Sequence, residues 1–132
     1  MNVKTDTKEK FRVITPMENQ VSAIMAEELA NVLLECRENE PAHAILNMEQ
    51  VEDINAEALQ KLGWVAKQFQ SEKRSFVVCS FRKTPLQLAT DLELLIVLNY
   101  APTESEAWDI LQMEEIEREF LGEEEDENNP AK

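Results

Sequence analysis

Residues 42–48, Ala-His-Ala-Ile-Leu-Asn-Met, make a nearly unbroken apolar run between two stretches of helical periodicity, and no other feature of the 132-residue chain constrains the fold as much. A strand with one wet face alternates apolar and polar residues, whereas a strand covered by helices on both faces carries apolar residues consecutively. The run therefore predicts the centre of a parallel sheet with crossover helices around it.

The helices on either side have their own signals. Met25, Leu29, Val32, Leu33 and Cys36 fall at i, i+4, i+7, i+8 and i+11, on one face of a helix that Ser22 caps and that stops near Pro41. Asn55 is a good N-cap for a second helix carrying Leu59, Leu62, Val65, Ala66 and Phe69, with Gly63 its weak point and a sign of close packing. Further along, Phe76 to Cys79 within Arg74 to Phe81 reads as a strand, and Thr84-Pro85 with Gln87 opens a short helix through Leu92. Leu95 to Leu98 reads as the last strand, and Thr103 with Glu106 forms a capping box for a helix to about Leu121, ended by Gly122.

At the amino-terminal end, Phe11, Val13 and Thr15 mark a strand closed by a turn over Pro16 to Asn19, with Gln20 to Ser22 as a short hairpin partner. Residues 1–10 mix charges and hydroxyls without period and are expected to be a flexible leader. Residues 122–132, with five consecutive acids from Glu123 to Glu127, are expected to be an acidic disordered tail. One α/β domain over 11–121 remains, of order ββαβαβαβα: a mostly parallel mixed sheet of four to five strands with about four helices.

Composition narrows the function classes. A formal charge of −14 repels phosphate backbones and anionic headgroups, which argues against nucleic acid as a partner, and no apolar run is long enough for direct membrane insertion. Cys36 and Cys79 lack CxxC or Cys/His spacing and read as buried free thiols in a reducing, cytoplasmic setting. The chain has no GxSxG elbow, no phosphate loop and no HExxH, and its two glycines leave little backbone able to cradle a phosphate. No catalytic residue, metal site or cofactor is expected; His43, the only histidine, reads as a satisfied sheet residue, and Trp64 and Trp108 as core or rim packing.

The stretch Asn47 to Leu62, NMEQVEDINAEALQKL, resembles the strand, loop and helix of STAS domains, whose loop reads Asp-Ser-Ser-Gly-Leu. Val21 to Leu29 is similar to that family's passage from a short strand into its first helix, and Ala101 to Phe120 to its final helix after a Pro-Thr-x-x-Glu-Ala opening. The Met-Glu-Glu-Ile-Glu-Arg ending with an acidic tail resembles small stand-alone members of Bacteroidetes type.

The resemblance implies a STAS-like fold and an anti-sigma factor antagonist-like module in partner-switching signalling. Its partner would be an anti-sigma, serine-kinase-like protein, bound through Ser22, Ala23, Asp53, Asn55, Ala56, Glu57 and Ala58. Laid on the family loop, Asn55 stands at the aspartate, Ala56 at the first serine, Glu57 at the second, which is the usual phosphoacceptor, and Ala58 at the glycine; no Ser or Thr occurs between Ser22 and Ser71. Glu57 is read either as an ordinary first-turn acid or as a fixed partial imitation of phosphoserine. The alternative function is a soluble scaffold or regulatory subunit of a membrane transport complex. A receiver-like domain is a third reading, but Asp53 and Asp91 do not supply its acidic cluster.

Met113, Ile116 and Phe120 lie on a face of the last helix rotated away from Ala107, Ile110 and Leu111. Either the helix bends to bury both groups, or the three form a second interface for a partner or for a second copy in a homodimer.

Overall fold

The computed structural model describes residues 1–128, with side-chain environments to Leu121. Residues 129–132, the end of the expected tail, lie outside the described residues. The elements run β1 (Val3–Thr7), β2 (Phe11–Pro16), β3 (Gln20–Val21), α1 (Ala23–Glu38), β4 (His43–Asn47), β5 (Asp53–Ile54), α2 (Ala56–Ser71), β6 (Phe76–Cys79), α3 (Lys83–Asp91) and α4 (Glu104–Asn128).

The apolar run at 42–48 becomes the interior strand β4, parallel to β2 on one side and to β6 on the other, in a four-stranded sheet of order β1-β2-β4-β6. Strand alternation sends its residues to two separate apolar layers. Ala44 and Leu46 join Ile14, Phe76 and Val78 beneath α1 and α2, where Leu29, Leu33, Leu59, Leu62 and Phe69 are fully buried. Ile45 joins Phe11, Val13, Val77 and Cys79 on the opposite face, where Ala107 and Leu111 of α4 cover them. Cys36 and Cys79 belong to these two different layers and are both free and buried, so no disulfide joins them.

Several expectations are corrected. The amino-terminal decapeptide is no leader: β1 pairs antiparallel with β2 from Val3 opposite Pro16 to Thr7 opposite Arg12. It forms an edge strand, where polar residues such as Lys4 and Asp6 blunt unwanted pairing. Gln20–Val21 does not return on β2 as a hairpin; it pairs in parallel with Asp53–Ile54 in a separate two-stranded sheet.

Leu95 to Leu98 forms no strand. Leu98 N–H donates to the Leu94 carbonyl at 2.9 Å, the segment closes as turns between left-handed Glu93 and Asn99, and only Ala101 makes a bridge, to Cys79. α3 begins at Lys83 after Arg82, which makes no side-chain cap bond, so Thr84 lies inside the helix and Gln87 donates instead to Asp91 at 2.9 Å. α4 does not stop at Gly122 but continues to Asn128, because glutamates favour helix strongly enough to carry one glycine that costs about 1 kcal/mol.

Candidate functional site

Three strand-to-helix junctions meet at the carboxyl ends of the parallel strands, the end where open α/β sheets usually present binding residues. The first is β3 into α1. Ser22 is extended and its hydroxyl accepts the Met25 N–H at 3.2 Å, which closes the first turn of α1. The second is β5 into α2, where Asn55 Oδ1 accepts the Ala58 N–H at 2.8 Å. The third, β6 into α3, sends Arg82 to Glu52, with Nη1 to Oε1 at 3.0 Å.

Backbone bonds lock the first two junctions together. Asn19 C=O accepts the N–H groups of Glu52 and Asp53 at 2.8 and 3.0 Å, and Val21 C=O accepts that of Asn55 at 3.4 Å. Val21 and Ile54 point inward and are almost fully buried. Their neighbours Ser22 and Asn55 are thereby held side by side and exposed.

Of the residues expected to face a partner, the structure exposes Ser22, Asp53, Asn55 and Glu57, half-buries Ala23 and Ala56, and buries Ala58. Ala58 shapes the lip through its N–H, with its methyl packed into the core. Asp53 and Glu57 form no ion pair among the described residues, so the lip presents free carboxylates. Glu57 is the acid in the first turn of α2, where unpaired N–H groups favour negative charge by about 0.3–1 kcal/mol.

One residue of this surface was not read from the sequence. Ile24, in the first turn of α1 beside Ser22, is 75% exposed. The available signal was its position off the Met25-Leu29-Leu33 stripe, which leaves a large apolar side chain with no core to enter.

The remaining singular residues have quieter settings. His43 Nδ1 accepts the Ser75 N–H at 2.9 Å, which places the imidazole proton on Nε2, and burial with nearby Arg118 lowers its pKa. The ring lines a groove of about 570 Å³ between the β1–β2 turn and α4, together with Phe11, Trp108 and Leu111. Trp64 and Trp108 are both rim residues, about two-fifths exposed, and Lys61 Nζ sits 4.1 Å above the Trp64 ring. Among the described residues no His/Cys/Asp/Glu group is placed to hold a metal, and no helix is long and apolar enough to cross a membrane.

Among the described residues, a mixed four-stranded sheet with an added pair of short strands and four helices, carrying a polar lip at its strand ends, defines a small α/β domain. Residues 2–107 match the STAS domain model, and the chain belongs to that family. None of the curated protein sequences matches the chain.

Solved structures share the fold at low identity. A Thermotoga maritima protein assigned as an anti-sigma factor antagonist is 18% identical, with a TM-score of 0.70 over 83% of this chain and 94% of its own. The anti-sigma factor antagonist SpoIIAA in its unphosphorylated form is 12% identical, with a TM-score of 0.67 over 84% of this chain and 96% of its own. The murine anion transporter Solute Carrier 26 family member A9 is 12% identical, with a TM-score of 0.64 over 82% of this chain but 18% of its own.

Proposed function

We propose that the chain is a non-catalytic, anti-sigma factor antagonist-like module that docks a serine-kinase-like anti-sigma protein through the Ser22–Ala23 and Asp53–Ala58 lip, and that Glu57 holds the phosphoacceptor position. The observation that carries this reading is the exposure of Glu57 in the first turn of a helix capped by Asn55; the family resemblance of the sequence is what sets this position against the second serine of the loop. The STAS match and the likeness to anti-sigma factor antagonists support it.

In this reading Ile24 is the apolar anchor, and the carboxylates of Asp53 and Glu57 are met by basic residues of the partner, since buried aromatic or aliphatic anchors ringed by polar contacts dominate interface energetics. A glutamate carries one negative charge against about −1.5 to −2 for phosphoserine, and no kinase can add or remove it. The lip is therefore fixed in one binding state, and the cytoplasmic partner protein is the component that switches.

Likeness to the domain of an anion transporter favours a second reading, a soluble scaffold of a membrane transport complex. Affinity capture from the native host separates the two. Recovery of an ATP-binding anti-sigma kinase, lost with Ile24→Asp, supports the first; recovery of a transport ATPase with its permease overturns it in favour of the second.

A further inference from the structure

The STAS match ends at Ala107, in the first turn of α4, yet the helix continues for five more turns. On that extension Met113, Ile116 and Phe120 are 61%, 64% and 66% exposed. They recur at i, i+3 and i+7, so they form one stripe, and it lies away from Ala107 and Leu111, which pack on the sheet. The helix does not bend to bury them. Three large apolar side chains that join neither core cluster among the described residues are a patch that calls for an occupant.

Charge decides what kind. Glu106, Asp109, Glu117 and Glu119 border the stripe and are exposed, and Arg118, the one base between Glu104 and Leu121, is turned partly inward. The sequence beyond adds five acids in a row from Glu123 to Glu127. A second copy would bring the same acidic border against this one, on a chain of net charge −14, and an anionic membrane would be repelled in the same way.

We propose that the outer face of α4 is a second docking surface, separate from the lip, and that its occupant is a basic amphipathic helix of another protein. The apolar face of that helix would lie along Met113, Ile116 and Phe120, and its lysines or arginines against the flanking carboxylates, in the manner of helix pairs with an apolar seam and charged edges.

The test uses the full chain and a labelled synthetic peptide of leucine and lysine at helical spacing, with a scrambled peptide of the same composition as control. Binding is followed by anisotropy and peptide helicity by circular dichroism. Met113→Gln/Phe120→Gln leaves the charge unchanged and alters only exposed side chains. The expected result is that the patterned peptide binds wild type and becomes helical, the double variant binds it about tenfold or more weakly, and Ile24→Asp binds it as wild type does. Equal binding of the patterned and scrambled peptides, or equal binding by wild type and double variant, overturns the proposal. So does sedimentation showing a wild-type dimer that the double variant abolishes.

Discussion

Val21 and Ile54 stand opposite each other in parallel register, a buried pair from which α1 and α2 start side by side. Every exposed residue assigned to the docking lip hangs from one side of that pair or the other. Because the sheet they form has only two residues per strand, its stability comes from the burial of these two side chains beneath α1 and α2 rather than from an extended ladder.

Removing one of them should therefore be costly. Ile54→Ala is expected to lower stability by about 2–5 kcal/mol, the range for truncating a buried isoleucine into a rigid core. Urea denaturation measures it; a loss below about 1 kcal/mol would show that the two junctions are held by something else.

The cap at Asn55 gives a finer test. Asn55→Ala leaves the Ala58 N–H without its acceptor and should cost about 1 kcal/mol, whereas Asn55→Asp retains a good capping oxygen and should stay near wild type. Equal stability of the two variants would contradict the assigned cap.

Gly63 yields a prediction of opposite sign. A Cβ built there meets Leu94 Cδ2 at 3.5 Å and Val97 Cγ1 at 3.7 Å, ordinary contact distances in an α-helix with no positive φ. The close packing expected from the sequence does not forbid a methyl group, so Gly63→Ala should stabilise the protein by about 0.5–1 kcal/mol through helix propensity. A fall in Tm would mean that the loop at Leu94–Val97 cannot accommodate the contact.

His43 sets a pH dependence. Burial first, then Arg118, lowers its pKa from 6.5, so below pH 6.5 the unfolded chain takes up a proton that the folded chain resists. Stability from this residue is complete above pH 6.5 and falls as the pH drops through the folded pKa. Protonation would also remove the Nδ1 lone pair that accepts the Ser75 N–H. His43→Gln should flatten the stability–pH slope in that window, and an unchanged slope would assign it to other groups.

The thiols test the two-layer core. Burial pushes Cys79 up to about 11 and raises Cys36, so at pH 8 neither should react with a thiol reagent in the folded protein while both react in denaturant. Rapid native labelling of Cys79 would mean that the α4 layer opens.

Local signals were legible in the sequence and pairings at a distance were not. Ser22, Asn55 and Thr103 announce the helices they cap because the signal and its bond lie within three residues, and the run at 42–48 announces an interior strand because both of its faces are dry. Val3–Thr7 escaped notice because an edge strand with an outer side in water needs no apolar alternation. Leu95–Leu98 misled because a short apolar run fits a buried turn as well as a strand, and here Leu98 sinks into the core while Ile96 stays 90% exposed. The pairing of Gln20–Val21 with Asp53–Ile54 carries no sequence mark, since two residues have too little pattern to name a partner. Ile24 carries no mark at its own position, and its exposure follows from lying off the Met25-Leu29-Leu33 face of α1.

The most direct test of the docking lip is photocrosslinking in the native host, with the reactive amino acid at position 53 on the lip and, separately, at exposed position 67 toward the carboxyl end of α2. The account predicts that position 53 captures a kinase-like anti-sigma protein, that Ile24→Asp abolishes the adduct, and that position 67 gives none. Adducts of equal yield at both positions, or an adduct at 53 that survives Ile24→Asp, would contradict it.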